Sequence, residues 1–319
     1  MNLKEGDTIG VISQSFCGPE IFPHIYEKGL DNLKQMGFTI KEFPFTRVQG
    51  THKERAKDLM DAFLDPDVAA IICSIGGDDC TFLLEHLDLD LLAQHKKPIM
   101  GYSDPTALFA VFSRKGVPCY YGPSIMAGFS HMHLYPEWLS YTKKYVRGET
   151  LPFTPFAEYN ESYVDWSTGV VDITERKKNE GFIFLHDGTA TGKLFGGCID
   201  VLEFIKGTKY WPEPEFFDDK ILFFETSEDK PPVQQVKCFL RNYGFMGVLQ
   251  RVKGILFGRA RDYTDEEKKE LGEMVLKVLK ECNVSIPVVM NVDFGHTNPQ
   301  LILQYGETVT IGNGEIKRT

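Results

Sequence analysis

A serine at the corner between a predicted strand and a predicted helix is the sharpest chemical feature of the sequence. The segment Pro98-Ile-Met-Gly-Tyr-Ser-Asp-Pro-Thr-Ala-Leu108 predicts a strand that turns directly into a helix, with Ser103 at the turn and Pro105 in the first helical turn. A hydroxyl in this position projects above the sheet edge, and the next backbone N–H groups point to where an oxyanion would form. This is the arrangement of a nucleophile elbow, although Pro105 stands where Gly-x-Ser-x-Gly has its second glycine. The same residues also fit a helix N-cap.

Two adjacent glycines follow the third predicted strand and form a second candidate element. In Cys73-Ser-Ile-Gly-Gly-Asp-Asp79, the backbone of Gly76 and Gly77 can approach a ligand closely and present N–H groups to it. Ligands of open α/β sheets bind at the carboxyl ends of strands, so we expect this loop and Ser103 to share one crevice. A plain tight turn is the alternative. Neither this loop nor segment 8–15 matches Gly-x-Gly-x-x-Gly, so a nicotinamide enzyme is not expected.

A glutamate and a histidine in the second half of the chain complete a set of groups for acyl transfer. Glu225 ends the apolar segment Ile221-Leu-Phe-Phe-Glu225, where a carboxylate is costly to bury unless it is paired. His296 lies in the turn-rich segment Asn291-Val-Asp-Phe-Gly-His-Thr-Asn-Pro299 and belongs to no helical or strand stripe. Each residue alone fits a structural role as well as a functional one. Together with Ser103 they supply a nucleophile, a base and a carboxylate.

The other histidines and the cysteines do not predict a metal site. His131 and His133 are two residues apart with no third ligand nearby, so we expect both in a surface loop. The seven cysteines are odd in number and include no Cys-x-x-Cys pair. We therefore expect free thiols in a reducing cytoplasm.

The elements that must position these residues follow the pattern of an α/β protein. Strand and helix signals alternate in the first half of the chain, which predicts a parallel sheet. We expect an N-terminal α/β domain with the nucleophile corner at 1-150, a linker with an aromatic excursion at 151-180, and a smaller α/β domain with the acid and base at 181-319.

Individual elements are also predicted by periodicity and capping. A helix that starts with the capping box of Thr264 and Glu267 is expected over 264–281. The other expected helices and strands are helices at 19–36, 78–87 and 231–242, and strands at 68–75, 98–102, 221–225, 254–258 and 288–292.

Length, composition and charge exclude several classes of protein. The 319 residues, 42% hydrophobic and 25% charged, are typical of a globular protein of about two domains. A formal charge of −10 excludes a general attraction for nucleic acid or an anionic membrane. The N-terminus lacks the pattern of a signal peptide, and apolar runs such as Val68–Cys73 are far shorter than a spanning helix. We therefore expect a cytoplasmic protein that binds neither nucleic acid nor membrane.

Five segments, in this order, resemble the LD-carboxypeptidase and microcin-immunity (MccF) family of serine peptidases over nearly the whole chain. They resemble, in turn, the family's glycine loop, its nucleophile motif, a further motif of the second domain, the segment of the triad acid and the segment of the base: Gly76-Gly-Asp-Asp79, Gly101-Tyr-Ser-Asp104, Gly196-Gly-Cys-Ile-Asp200, Phe224-Glu-Thr226 and Gly295-His-Thr297.

The resemblance implies a role for each of the candidate residues. Ser103 would be the nucleophile, Glu225 the triad acid and His296 the base, assembled between an N-terminal and a C-terminal α/β domain. The backbone N–H groups of Gly77 and Asp104 would form the oxyanion hole. The resemblance also implies a homodimer with no metal or organic cofactor.

The two arms of the family differ in substrate. LD-carboxypeptidases remove a terminal D-amino acid from murein tetrapeptides, whereas the microcin-immunity arm cleaves the amide between an acyl aminoacyl part and a modified nucleotide. Asn179-Glu-Gly-Phe182 resembles the place where the microcin-immunity arm has an aromatic residue, usually Trp, that stacks on adenine. The surrounding excursion, 156–184, is rich in aromatic residues: Tyr159, Tyr163, Trp166 and Phe182.

These observations favour an MccF-like serine carboxypeptidase or amidase that acts on a small peptide or an aminoacyl-nucleotide. Gly76, Phe182 and Trp166 are its candidate substrate-binding residues. A murein tetrapeptide carboxypeptidase is the alternative within the family. A non-catalytic module that binds a small ligand, with Ser103 only as a cap, is the alternative of another class, and it leaves Glu225 and His296 unexplained.

Overall fold

The computed structural model describes residues 1–162, 165–170, 172 and 175–319, which form two compact units. The N-terminal unit consists of Met1–Leu151, Ser162–Arg176 and Ile302–Gln304. The C-terminal unit consists of Pro152–Glu161, Lys177–Leu301 and Tyr305–Thr319. None of the helices in the described ranges is both long and apolar enough to cross a membrane.

The strands and α-helices of the described residues are numbered here in chain order. The strands are β1 (Thr8–Ile12), β2 (Thr39–Glu42), β3 (Val68–Cys73), β4 (Ile99–Gly101), β5 (Cys119–Tyr121), β6 (Glu158–Tyr159), β7 (Lys177–Lys178), β8 (Ile183–His186), β9 (Ala190–Cys198), β10 (Lys220–Glu225), β11 (Gly254–Gly258), β12 (Val288–Val292), β13 (Leu303–Gln304), β14 (Thr308–Gly312) and β15 (Glu315–Arg318). The helices are α1 (Gly18–Ile21), α2 (Pro23–Gln35), α3 (His52–Leu64), α4 (Leu89–His95), α5 (Thr106–Phe112), α6 (Pro136–Val146), α7 (Ile199–Ile205), α8 (Val233–Phe245) and α9 (Asp265–Glu281).

The N-terminal unit is built on a six-stranded sheet in the order β13-β5-β4-β3-β1-β2. The five strands from β1 to β5 are parallel, and β13 pairs with β5 in the antiparallel direction at the edge. Five of the six residues of β3 are buried, as expected of a strand covered on both faces. Since parallel strands end at one edge of the sheet, the loop after β3 and the corner after β4 lie side by side.

The C-terminal unit contains a seven-stranded sheet in the order β15-β14-β9-β10-β11-β12-β8. Its centre, β9 to β12, is parallel, and the strands on both sides of that centre pair antiparallel. All residues of β10 and β11 are buried. Glu225 is the last residue of β10, and the loop that contains His296 follows β12. The α/β architecture predicted from the sequence is thus confirmed.

Several predicted elements differ from the structure in instructive ways. The helix expected over 19–36 is divided into α1 and α2, because Pro23 has no N–H to continue α1 and restricts the preceding Phe22. The helix expected over 78–87 is a 3₁₀ segment that begins at Cys80. The surface-loop prediction is wrong for His131, which is buried in a 3₁₀ segment, Phe129–Leu134, that packs on α2.

The predicted capping box at the start of α9 is present. The Glu267 N–H donates to the Thr264 hydroxyl over 3.2 Å, and the Thr264 N–H donates to the Glu267 carboxylate over 2.7 Å. We expect Thr264→Ala to lower the free energy of unfolding by about 1 kcal/mol, because one helix N–H loses its acceptor. Thr264→Ser keeps that acceptor and is the matched control in urea denaturation. Equal midpoints for the two variants would contradict a stabilising role of the cap.

Candidate active site

Ser103 has the strained backbone of a nucleophile elbow. It follows β4 directly, and its φ of 68° lies in the left-handed region that non-glycine residues seldom adopt. Its N–H donates to the Tyr121 hydroxyl over 3.2 Å, and its carbonyl accepts from the Thr106 N–H. The N-cap position of α5 belongs to Pro105, so Ser103 lies two residues before the cap. A strained backbone held by neighbours on both sides is a pattern that clusters at functional sites.

The glycine loop lies against this serine within the N-terminal unit. A Cβ placed on Gly76 would be 3.1 Å from the Ser103 hydroxyl oxygen and 3.4 Å from the Asp104 nitrogen. Gly77 has a φ of 148°, and a Cβ there would come within 2.2 Å of the Ser15 hydroxyl oxygen. Only glycine therefore fits at position 77, and a side chain at position 76 would crowd Ser103. Gly76, Ser103 and the Asp104 N–H are thus neighbours in the structure.

Two carboxylates, one fully buried and one half-buried, fix the far end of the glycine loop. Asp104 is fully buried, which raises the pKa of its carboxyl, and one of its oxygens accepts the Cys80 N–H over 2.9 Å. The Asp79 carboxylate accepts hydrogen bonds from both terminal nitrogens of the buried Arg55, at 2.9 and 2.7 Å. Although burial opposes ionisation of Asp79, the Arg55 guanidinium lowers the pKa of that carboxyl. The loop that borders Ser103 is thus held by charge-assisted hydrogen bonds.

Glu225 and His296 form a buried pair within the C-terminal unit. The Glu225 carboxylate has no exposed surface, and it lies 2.7 Å from Nδ1 of His296. Gly295 makes this approach possible, because a Cβ on it would be 2.6 Å from the same carboxylate oxygen and its φ is 94°. A carboxylate on Nδ1 holds the proton on that nitrogen and leaves Nε2 for chemistry. The contact joins two residues that are 71 positions apart in the sequence.

A second carboxylate, which the sequence analysis did not single out, lies on the other ring nitrogen. Glu228 approaches Nε2 of His296 to 2.7 Å. Although burial opposes the charged ring, the carboxylates of Glu225 and Glu228 raise the pKa of His296 well above its ordinary value. Likewise, burial opposes ionisation of Glu228, but the His296 charge and hydrogen bond lower the pKa of its carboxyl. Since a ring can donate from both nitrogens only when it is protonated, a carboxylate on each of them favours the imidazolium form of His296.

The loop of His296 is anchored by a buried ion pair. Asp293 accepts from Arg259 over 2.8 Å and from the Asn179 amide over 3.1 and 3.0 Å, and also from the Phe156 N–H over 3.0 Å. Arg259 and Asp293 are 4% and 1% exposed, so neither charge has water as an alternative partner. The Arg259 guanidinium also lies 3.9 Å from the centre of the Tyr159 ring. The aromatic excursion and the histidine loop thus share one hydrogen-bond network.

The two aromatic candidates for substrate binding differ in exposure. Phe182 is partly exposed and lies directly before β8, in the segment that Asn179 anchors through its bond to the Gly181 N–H. Trp166, in the N-terminal unit, is buried and packs edge-to-face against Phe22 at 5.5 Å. Tyr163 lies outside the described residues. Phe182 is therefore the better placed to offer a ring face to a ligand.

Among the described residues, no three or more His, Cys, Asp and Glu side chains are grouped to hold a metal ion. His133, in the N-terminal unit, has its Nε2 3.1 Å from the Asp172 carboxylate and is partly buried.

Family profiles match both halves of the chain. The LD-carboxypeptidase N-terminal domain matches residues 9–122, and the LD-carboxypeptidase C-terminal domain matches residues 191–311. The chain belongs to the LD-carboxypeptidase family. Ser103 lies in the range matched by the first profile, and both Glu225 and His296 lie in the range matched by the second.

Individual members of the LD-carboxypeptidase family resemble this chain along nearly its whole length. A putative carboxypeptidase of Vibrio cholerae is 29% identical over 326 residues, covering 97% of this chain and 93% of that protein. The microcin C7 self-immunity protein MccF of Escherichia coli is 27% identical, covering 97% of this chain and 91% of that protein. A solved structure of MccF in complex with glutamyl sulfamoyl guanosine superposes with a TM-score of 0.89 at 27% identity, covering 100% and 97% of the two chains.

The residues that the sequence analysis missed are those whose partners are distant in sequence. Arg259 lies 34 residues from Asp293, and Arg55 lies 24 residues from Asp79. Glu228 had one usable signal, since it follows Glu225 by three residues in a turn after a buried strand.

The Arg259–Asp293 pair is expected to contribute strongly to the stability of this LD-carboxypeptidase family member. Arg259→Met or Asp293→Asn alone should lower the free energy of unfolding by about 3–5 kcal/mol, because each leaves an uncompensated buried charge. The double variant should lose less free energy of unfolding than the sum of the two single losses, and the difference, the coupling energy, should be roughly 0.5–3 kcal/mol. Guanidinium denaturation of all four proteins measures this cycle. Additive losses would contradict a direct interaction between the two charges.

Proposed function

We propose that this chain is a serine hydrolase that uses Ser103, Glu225 and His296 to cleave an amide near the carboxyl end of its substrate. The family is one of serine-type carboxypeptidases, which supports hydrolysis as the activity. The observation that carries the assignment of residues is the Glu225 carboxylate on Nδ1 of His296, since this contact orients a base. The left-handed φ of Ser103 and the glycine loop beside it support its role as nucleophile.

The proposed reaction has two steps. His296 takes the hydroxyl proton of Ser103 on Nε2 as the oxygen attacks the amide carbonyl, and Glu225 stabilises the imidazolium that forms. The N–H groups of Gly77 and Asp104 stabilise the oxyanion, and the proton passes from His296 to the leaving amine. Water then attacks the acyl-enzyme with His296 again as base, which releases the acid and restores Ser103.

For the substrate, we propose an aminoacyl-nucleotide in preference to a murein peptide. The support is the whole-length similarity to MccF, including a structure of MccF with glutamyl sulfamoyl guanosine. The partly exposed Phe182, on the segment that Asn179 anchors, would stack on the base. A homodimer is part of the same proposal, and sedimentation analysis of the purified protein tests it.

The nucleophile assignment is tested by Ser103→Ala with Ser140→Ala as control. Ser140 is an exposed serine of α6 in the same unit, so its hydroxyl should be irrelevant to hydrolysis. We expect Ser103→Ala to reduce kcat by roughly 10⁴- to 10⁶-fold, because no nucleophile remains. Mass spectrometry with glutamyl sulfamoyl guanosine as substrate measures the products, and circular dichroism checks the fold. Wild-type turnover in a folded Ser103→Ala variant would remove this serine from the mechanism.

The substrate proposal is tested by Phe182→Ala with Trp166→Phe as the aromatic control. We expect Phe182→Ala to raise KM for the aminoacyl-nucleotide by roughly ten- to a hundredfold, because stacking on a base contributes about 1–3 kcal/mol. KM for a murein tetrapeptide should change little. Trp166→Phe should leave the ratio of the two KM values unchanged, since Trp166 is buried against Phe22. If Phe182→Ala raises KM equally for both substrates, the Phe182 ring serves only in packing within its unit. The murein peptide then becomes the better candidate.

A further inference from the structure

The two carboxylates on His296 differ in their freedom to leave it. Glu225 is the last residue of a buried strand and has no exposed surface, so its carboxylate cannot exchange Nδ1 for water. Glu228 is part of a surface turn, and 45% of its side chain is exposed. A rotation of the Glu228 side chain would place its carboxylate in water. Only the contact on Nε2 is therefore exchangeable.

The turn that contains Glu228 is held at both ends. The Ser227 N–H donates to the Asp200 carboxylate over 3.2 Å, and the Lys230 N–H closes the turn on the Ser227 carbonyl over 3.2 Å. Lys230 also pairs with Glu267 at 2.8 Å. A fixed turn keeps Glu228 beside His296, and the exposed part of its side chain gives its carboxylate water as an alternative partner. The contact on Nε2 is thus a product of the local fold.

The contact on Nε2 opposes the chemistry proposed for His296. A base that accepts a proton from a hydroxyl needs an unprotonated Nε2, whereas a ring between two carboxylates donates from both nitrogens. We propose that Glu228 is a positioning residue that holds His296 in its protonated form in the free enzyme and must leave Nε2 before the nucleophile can be activated. This inference rests on the proposed role of His296 as the base.

The other charged groups around this pair in the C-terminal unit do not replace Glu228. Asp200 and the Cys198 thiol lie close enough to feel the charge of Glu225, and burial raises the pKa of both. Arg261 stabilises the ionised form of Glu228 through its charge. When the Glu228 carboxylate moves away from His296, the Arg261 cation can still compensate the charge of that carboxylate. The ring then keeps Glu225 as its anionic contact, and its affinity for the proton falls.

The direction of the pH effect follows from these charges. A raised pKa for His296 means that the neutral base appears only at higher pH, so the acid limb of kcat/KM lies above the value for an ordinary histidine. Removing the Glu228 charge should lower that pKa by roughly one to three units, the usual effect of one nearby opposite charge. At pH values below the acid limb, each unit by which the pKa of His296 falls gives about a tenfold gain in kcat/KM.

The experiment combines an NMR titration with a pH profile of the full chain. The ring resonances of His296 are followed in Ser103→Ala and in its combinations with Glu228→Gln, Glu228→Ala and Asp229→Asn, so the titration requires no activity. The pH dependence of kcat/KM is measured for wild type, Glu228→Gln and Glu228→Ala with glutamyl sulfamoyl guanosine. Asp229→Asn, in the same turn, is the matched control for a lost negative charge that does not contact His296.

We expect the His296 pKa and the acid limb to fall together in both Glu228 variants, and to stay unchanged in Asp229→Asn. An unchanged His296 titration in Glu228→Gln would overturn the proposal, as would a shifted titration with an unmoved acid limb. If wild type hydrolyses nothing while Glu228→Gln still shifts the titration, the hold on His296 stands and the proposed function fails.

Discussion

The buried carboxylate at the end of β10 is the constraint on which the C-terminal site depends. A carboxylate without exposed surface is costly unless a partner compensates its charge, and Glu225 finds that partner in His296. The partner can reach it only because Gly295 leaves no side chain in the way and adopts a positive φ. The loop after β12 is therefore held at His296 by the need to satisfy this buried charge, and at Asp293 by its ion pair with Arg259.

The N-terminal unit holds a serine in an unfavourable backbone conformation. The cost of a left-handed φ at Ser103 is offset by hydrogen bonds on either side of it and by a glycine loop that packs against it. That loop is in turn tied to α3 through Arg55 and Asp79. In each unit a buried charge therefore fixes a glycine-containing loop beside a residue of the proposed triad.

Membership of the LD-carboxypeptidase family explains why these two arrangements occur in one chain, but family members differ in substrate. The relatives described here include a putative carboxypeptidase and a microcin immunity protein at nearly equal identity. In the proposed function, residues such as Phe182, outside the segments of Ser103, Glu225 and His296, account for that difference in substrate. The network of Asp293, Arg259 and Asn179 connects the segment of Phe182 to the loop of His296, so the proposed substrate contact and the proposed base share one scaffold.

Sequence by itself determined the α/β class, the strands of both sheets that precede the site, the capping box of α9 and the candidate residues Ser103, Glu225 and His296. These follow from local patterns: apolar runs, caps, and glycines or prolines at turns. It did not predict the burial of His131, the division of the first long helix or the pairing of Arg259 with Asp293. Only the tertiary structure decided that a second carboxylate, Glu228, lies on Nε2 of His296. The physical reason is that a side-chain contact between segments 68 residues apart depends on where β10 and β12 lie in the sheet. The local sequence of each strand does not specify the order of the strands.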